Sequence, residues 1–168
     1  MAQALEFFFD DEADAAVRSL WRRLDRAGVP APRHRPHVAF AVAASIPAKA
    51  REALRSDLAL LSIPNLWLST LAANDAMLML AAVADAELLA VHSAVHDALA
   101  GRVRSPSAYY LPGSWMPHCA LTQGAEPPQV AMGFAAVYPV APIKVRVSAI
   151  AVVDTATGAE ETLLDLTG

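Results

Sequence analysis

Apolar positions along this chain fall into two similar runs. In the first, residues 5–9 read as a short buried strand, and Val17, Leu20, Trp21 and Leu24 recur at helical spacing across residues 11–27, with Gly28 as the stop. In the second, residues 77–83 read as a strand, and a helix over residues 85–100 places Leu88, Val91, Val95 and Leu99 on one face before Gly101 ends it. Each unit leads through a proline-bearing loop into the same local text, Pro36-His37-Val38-Ala39 and Pro117-His118-Cys119-Ala120. Downstream the correspondence continues. Pro47 opens a helix carrying Ala50, Leu54, Leu58 and Leu61, followed by a strand over residues 66–72. After the second motif, a weaker helical pattern near residues 129–137 precedes one strand over residues 144–153, in which Val145, Val147, Ala149, Ala151 and Val153 alternate. A turn at residues 155–158 leads to a last strand near 162–166.

These elements predict an α+β fold made of two βαβαβ halves, residues 1–73 and 74–168, forming one two-lobed domain over 1–168. Pseudo-two-fold symmetry would set equivalent histidines across a shared central cleft. Strand periodicity puts His37, Ala39, Ala41 and Ala43 on one face and Val38, Phe40 and Val42 on the other, the core side. On the second motif strand, His118, Ala120 and Thr122 share a face, opposite Cys119 and Leu121. Both histidine faces carry small side chains, so something other than these strands must fill the adjoining space.

Composition narrows the setting. Apolar residues make up 55% and mean hydropathy is +0.35, but alanine supplies much of this and no run approaches the ~18 residues of a spanning helix. No membrane partner is expected. Glu6, Asp10, Asp11 and Glu12 occupy the place where a leader peptide would be apolar, and the single cysteine suits a reducing compartment, so the expected location is cytoplasmic. A net charge of −4 gives no field for long duplex nucleic acid, so any nucleic-acid partner should be short. Arg18, Arg22 and Arg26 read as a solvated helix face, leaving Arg33 and Arg35 as candidates for phosphate contact.

His37 and His118 are the candidate catalytic pair, because imidazole exchanges a proton near neutral pH and two rings let one donate while the other accepts. His92 and His96 stand at i, i+4, but position 93 is serine and no third ligand is near, so they read as surface or boundary residues and no metal site is assigned. Cys119 reads as an inert core thiol, and residues 7–9 as strand packing. Tyr109 and Tyr110 are candidate base-stacking residues, whereas Trp115 suits packing equally well.

The two motif copies, 81 residues apart, resemble the repeated His-x-Thr/Ser signature of the two-histidine (2H) phosphoesterases. The stretch Tyr109-Tyr110-Leu111-Pro112-Gly113-Ser114-Trp115-Met116-Pro117-His118 is similar to the approach to the second motif in members described as 2′-5′ RNA ligases. The resemblance implies a bilobal fold with antiparallel sheets around the cleft. It also implies cofactor-free, metal-independent action on 2′,3′-cyclic or 2′-5′ phosphodiester linkages of nucleotides or short RNA. Both hydroxyl positions of the motif are alanine, Ala39 and Ala120. In the family those hydroxyls hold phosphate oxygens, each contact being worth ~1.5–3 kcal/mol. Thr122, Arg35, Tyr109, Tyr110 and Ser114 are the candidates to replace them in binding substrate. The alternatives are a weak or inactive member that binds a nucleotide-like phosphate, and an interaction domain with incidental histidines.

Overall fold

In the computed structural model, which describes residues 2–168, the chain opens with β1 (Gln3–Phe9). Its Leu5, Phe7 and Phe9 enter the main core, while Phe8 joins a small apolar cluster with Ala151 and Val153 on the opposite side. α1 (Asp11–Arg26) follows, with acidic residues in its first turn, arginines in its last, and Val17, Leu20, Trp21 and Leu24 on the buried face. Gly28, at φ +76°, lets the chain turn back. Then come β2 (His37–Ser45), α2 (Ala48–Leu58) and β3 (Leu66–Ala73).

β4 (Leu78–Ala82) begins the second half and leads to α3 (Ala86–Leu99), whose first turn is capped by the Asp85 carboxylate accepting from the Leu88 N–H. After β5 (Arg104–Pro106) and a 3-10 turn at Ala108–Tyr110 comes β6 (His118–Ala120). A Glu126–Gln129 capping box, with Pro127 in the first turn, starts α4 (Pro127–Val137). β7 (Ile143–Val145), β8 (Val147–Asp154) and β9 (Glu160–Asp165) complete the chain.

Two sheets result, in the orders β5-β2-β1-β8-β9 and β6-β4-β3-β7, every neighbouring pair antiparallel. Each sheet mixes the two halves of the sequence, β1 and β2 lying with β5, β8 and β9, and β3 with β4, β6 and β7. β3 lies beside β4, and β8 lies beside β1. The helices also cross over, α1 packing on α4 and α2 on α3. One main core cluster spans both sheets and the helices. Among the described residues, no helix is long and apolar enough to cross a membrane.

Three expectations are corrected. The strand predicted over residues 144–153 breaks at Arg146: β7 pairs with β3, and β8 pairs with β1. Asp10 makes the break possible, its Oδ1 accepting from the Arg146 N–H at 2.7 Å and its own N–H donating to the Arg146 carbonyl at 2.8 Å. The single face proposed for His37, Ala39, Ala41 and Ala43 is also interrupted. Between Leu5 and Glu6 the partner on β2 jumps from Ala41 to Ala39, so Phe40 is a bulge residue and both it and Ala41 turn inward. His37 and Ala39 alone keep the cleft-facing side. The last strand starts at Glu160, earlier than predicted, and β5 was not foreseen.

Candidate active site

Each motif histidine is the first residue of its strand, set opposite β1 or β4 by the sheet register: His37 faces Phe8, and His118 faces Ala81. The same local device orients both rings. Nδ1–H of His37 donates to the Arg35 carbonyl at 2.9 Å, and Nδ1–H of His118 donates to the Met116 carbonyl at 2.8 Å. A carbonyl can only accept, so each neutral ring carries its proton on Nδ1 and presents the Nε2 lone pair.

The carbonyl two residues after each histidine is held by a tryptophan from the other half of the chain. Trp115 Nε1 donates to Ala39 O, and Trp21 Nε1 donates to Ala120 O, both at 3.1 Å. These indoles satisfy backbone acceptors where β2 bulges and β6 ends. His92 overturns its reading as a surface or boundary residue: it is 1% exposed and stacks on Trp115 with centroids 3.9 Å apart. Its Nε2 donates to the Tyr110 carbonyl, and His96 Nε2 donates to the Phe40 carbonyl. Burial, then the neighbouring His96, pushes His92 down to about 4, so it stays neutral in this scaffold.

Between the sheets lies a cavity of about 290 Å³. The larger sheet contributes Glu6, His37 and Ala39, and the smaller side contributes His118, Ala120 and Thr122, with Tyr110 also on the wall. Burial moves His37 below the ordinary imidazole range, and the charges of His118, His34 and Arg35 push the same way, against the Arg35 carbonyl contact that raises it. Glu6 Oε1 lies 3.3 Å from His37 Nε2. Burial, then repulsion by Glu160, raises Glu6 from 4.5 to about 7 despite the pull of Arg35.

Of the residues expected at the site, His37, His118, Ala39, Ala120, Thr122 and Tyr110 line this one cavity. Thr122 Oγ1 accepts from the Leu78 N–H at 2.9 Å, which leaves its hydroxyl proton available as a donor. Tyr109 is exposed and lines an adjoining depression that shares Tyr110, Met77 and His118 with the cavity; Ser114 lies there too. The Arg35 side chain does not join them. Its guanidinium lies over the Phe8 ring, 3.7 Å from the centroid, and reaches Glu160 at 3.4 Å, in a separate depression. Among the described residues, no group of three or more histidine, cysteine or acidic side chains is placed to hold a metal ion. Glu6 was missed as a site residue, although a lone acid inside Leu5-Glu6-Phe7-Phe8-Phe9 was the visible signal.

Two antiparallel sheets facing each other across this cavity, with helices packed outside, give the mixed α+β architecture of the 2H phosphoesterases. The chain belongs to the 2′-5′ RNA ligase superfamily, whose sequence model matches residues 9–159. Among solved structures it is similar to a protein described as a phosphoesterase, at 16% identity and TM-score 0.59, covering 95% of this chain and 92% of the other. It is also similar to the MHV ns2 PDE domain, at 17% identity and TM-score 0.57, over 74% of this chain and 84% of that one. A third is Kluyveromyces marxianus Usb1 with uridine monophosphate, at 11% identity and TM-score 0.51, over 96% and 97%. At these identities the likeness is one of fold. No curated protein matches the chain significantly.

Proposed function

We propose that this protein is a metal-independent phosphodiesterase that opens 2′,3′-cyclic phosphates or cleaves 2′-5′ linkages of nucleotides and short RNA, with His37 and His118 as its acid–base pair. The observation that carries this reading is that the two rings line one cavity, each with Nδ1 tied back and Nε2 left for a ligand. In the reaction, Nε2 of one ring takes a proton from water as the water oxygen attacks phosphorus. The bond from phosphorus to the leaving ribose oxygen breaks, and Nε2–H of the other ring protonates that oxygen. Burial favours neutral His37, which suits it to the base role in hydrolysis and gives the acid role to His118. Matching strand neighbours, β2-β1-β8 and β6-β4-β3, support reading the chain as a duplication divided near residue 73. A Usb1 solved with uridine monophosphate on this fold is in keeping with a ligand of nucleotide size.

Alanine at positions 39 and 120 favours a second reading, a module that binds a nucleotide-like phosphate without turning it over. One experiment separates the two. The purified protein is incubated with 2′,3′-cyclic nucleotides and a 2′-5′ dinucleotide in the presence of chelator. Product that disappears in folded His37→Ala and His118→Ala supports the enzyme. Binding without product supports the module, and absence of both rejects the pair.

A further inference from the structure

We propose that Glu6 in its carboxylic-acid form is a phosphate-binding residue of the cleft, its O–H supplying on the His37 side the donor that Ala39 lacks. The inference rests on a phosphodiester being the ligand.

Placement comes first. Glu6 is paired with Ala39 in the register of β1 and β2, is 5% exposed, and lines the cavity with its Oε1 3.3 Å from His37 Nε2. In the smaller sheet, the residue paired with Ala120 is Met79. The scaffold therefore accepts an apolar side chain at the corresponding place, and packing does not explain a carboxyl between Leu5 and Phe7. Burying an acid costs stability unless it is paired or used, which makes such a group in a cleft a functional candidate.

The ligand supplies the second part. A phosphodiester anion offers only acceptors, and neutral His37, with its proton held by the Arg35 carbonyl, presents another acceptor. An ionised Glu6 would repel the phosphate. A protonated Glu6 would donate to it, through the proton that the carboxyl and His37 Nε2 otherwise contest. The groups facing Glu6 set which form is present. Arg35 before β2, Glu160 on β9 and Tyr110 in the 3-10 turn interact with its charge, and His37, His118 and His34 share the cavity. Its neighbour on β8 is the non-titrating Ala151. Burial first, then Glu160 against the pull of Arg35, raises the carboxyl to about 7, near half-protonated at neutral pH.

The test is binding of an uncleavable 2′-5′ dinucleotide phosphonate with one fixed negative charge, by calorimetry from about pH 5.5 to about pH 8.5. Wild-type affinity should fall with rising pH as Glu6 ionises, approaching about tenfold per pH unit. Glu6→Gln, which keeps a donor, should lose that component and retain binding. Glu6→Met, which copies the second sheet and has no donor, should bind about tenfold more weakly than wild type at the acid end. Independently of any variant, the Glu6 carboxyl carbon followed by NMR should titrate at higher pH with the phosphonate bound. Equal affinity of Glu6→Met and wild type at acid pH would overturn the proposal, as would an unchanged alkaline loss in Glu6→Gln or a downward shift of the carboxyl titration. Binding in the expected pattern without turnover of any cyclic nucleotide overturns the enzyme reading and leaves Glu6 its role. Turnover that Glu6→Met does not alter does the reverse, and no binding by wild type rejects both.

Discussion

Restoring a hydroxyl at Ala120 should do more for turnover than restoring one at Ala39, because the two sites differ in what stands opposite them. Both alanines are half-buried on the cavity wall, so threonine adds two atoms to open space on a strand that tolerates β-branching. Opposite Ala120 is Met79, an adaptable side chain with no proton to offer. A new hydroxyl there would make a contact that nothing now makes. A hydrogen bond to a charged phosphate oxygen is worth ~1.5–3 kcal/mol, and the lower end, allowing for imperfect rotamers, is about tenfold in rate. Opposite Ala39 stands Glu6, assigned to that phosphate already, so Ala39→Thr should gain less than about threefold at neutral pH. The assay is kcat/KM on a 2′,3′-cyclic nucleotide with the folded fraction of each variant measured. Ala120→Val serves as the control that adds the same shape without the hydroxyl. Equal gains from Ala120→Thr and Ala120→Val, or equal gains at the two alanines, would refute the reasoning.

Trp21→Phe should strip the Ala120 carbonyl of its donor and lower unfolding stability by about 1–3 kcal/mol in denaturant titration, with Trp115→Phe acting likewise through Ala39. Glu6 is raised from 4.5 to about 7 on folding, so the stability it confers is complete below pH 4.5 and is lost as pH climbs through 7. Glu6→Gln should therefore be more stable than wild type at alkaline pH, by about 3 kcal/mol at most, and the difference should shrink steadily on acidification; a pH-independent difference would contradict this. Cys119 is buried and its thiol is pushed up to about 12 by burial, so thiol reagents should label it only at the rate of unfolding.

The sequence carried the helices and motif strands because their apolar spacing is regular and the Pro-His-x-Ala text occurs twice. What it hid depended on the third dimension. Val145 and Val147 continue one alternation, yet they belong to different sheets, since the break at Arg146 is held by Asp10, remote in sequence. The bulge at Phe40 lies among alanines small enough to suit either face, so periodicity gave no sign of it. His92 read as a surface or boundary residue because no metal-ligand pattern surrounds it, but the chain after β5 folds Trp115 over it. Glu6 was weighed only as a charge unsuited to a leader peptide, because its partner His37 is 31 positions away and becomes its neighbour only through the pairing of β1 with β2.

These contacts also bear on how a nearly symmetric frame would support the unequal chemistry proposed for His37 and His118. Trp21, on α1 of the first half, fixes the second motif, and Trp115, in the second half, fixes the first; β3 and β8 are exchanged in the same sense. Neither histidine is therefore placed by its own half alone. A shift of one motif strand must disturb an indole that packs in the opposite half, which couples the spacing of the two rings to the whole core. Equivalent carbonyls then hold Nδ1 of both rings, so the frame itself does not distinguish acid from base. The distinction enters two register positions away, where β1 carries Glu6 and β4 carries Met79. On the enzyme reading, a buried carboxyl 3.3 Å from His37, with only the apolar Met79 at the corresponding place in the smaller sheet, would give separate roles to two otherwise matched histidines.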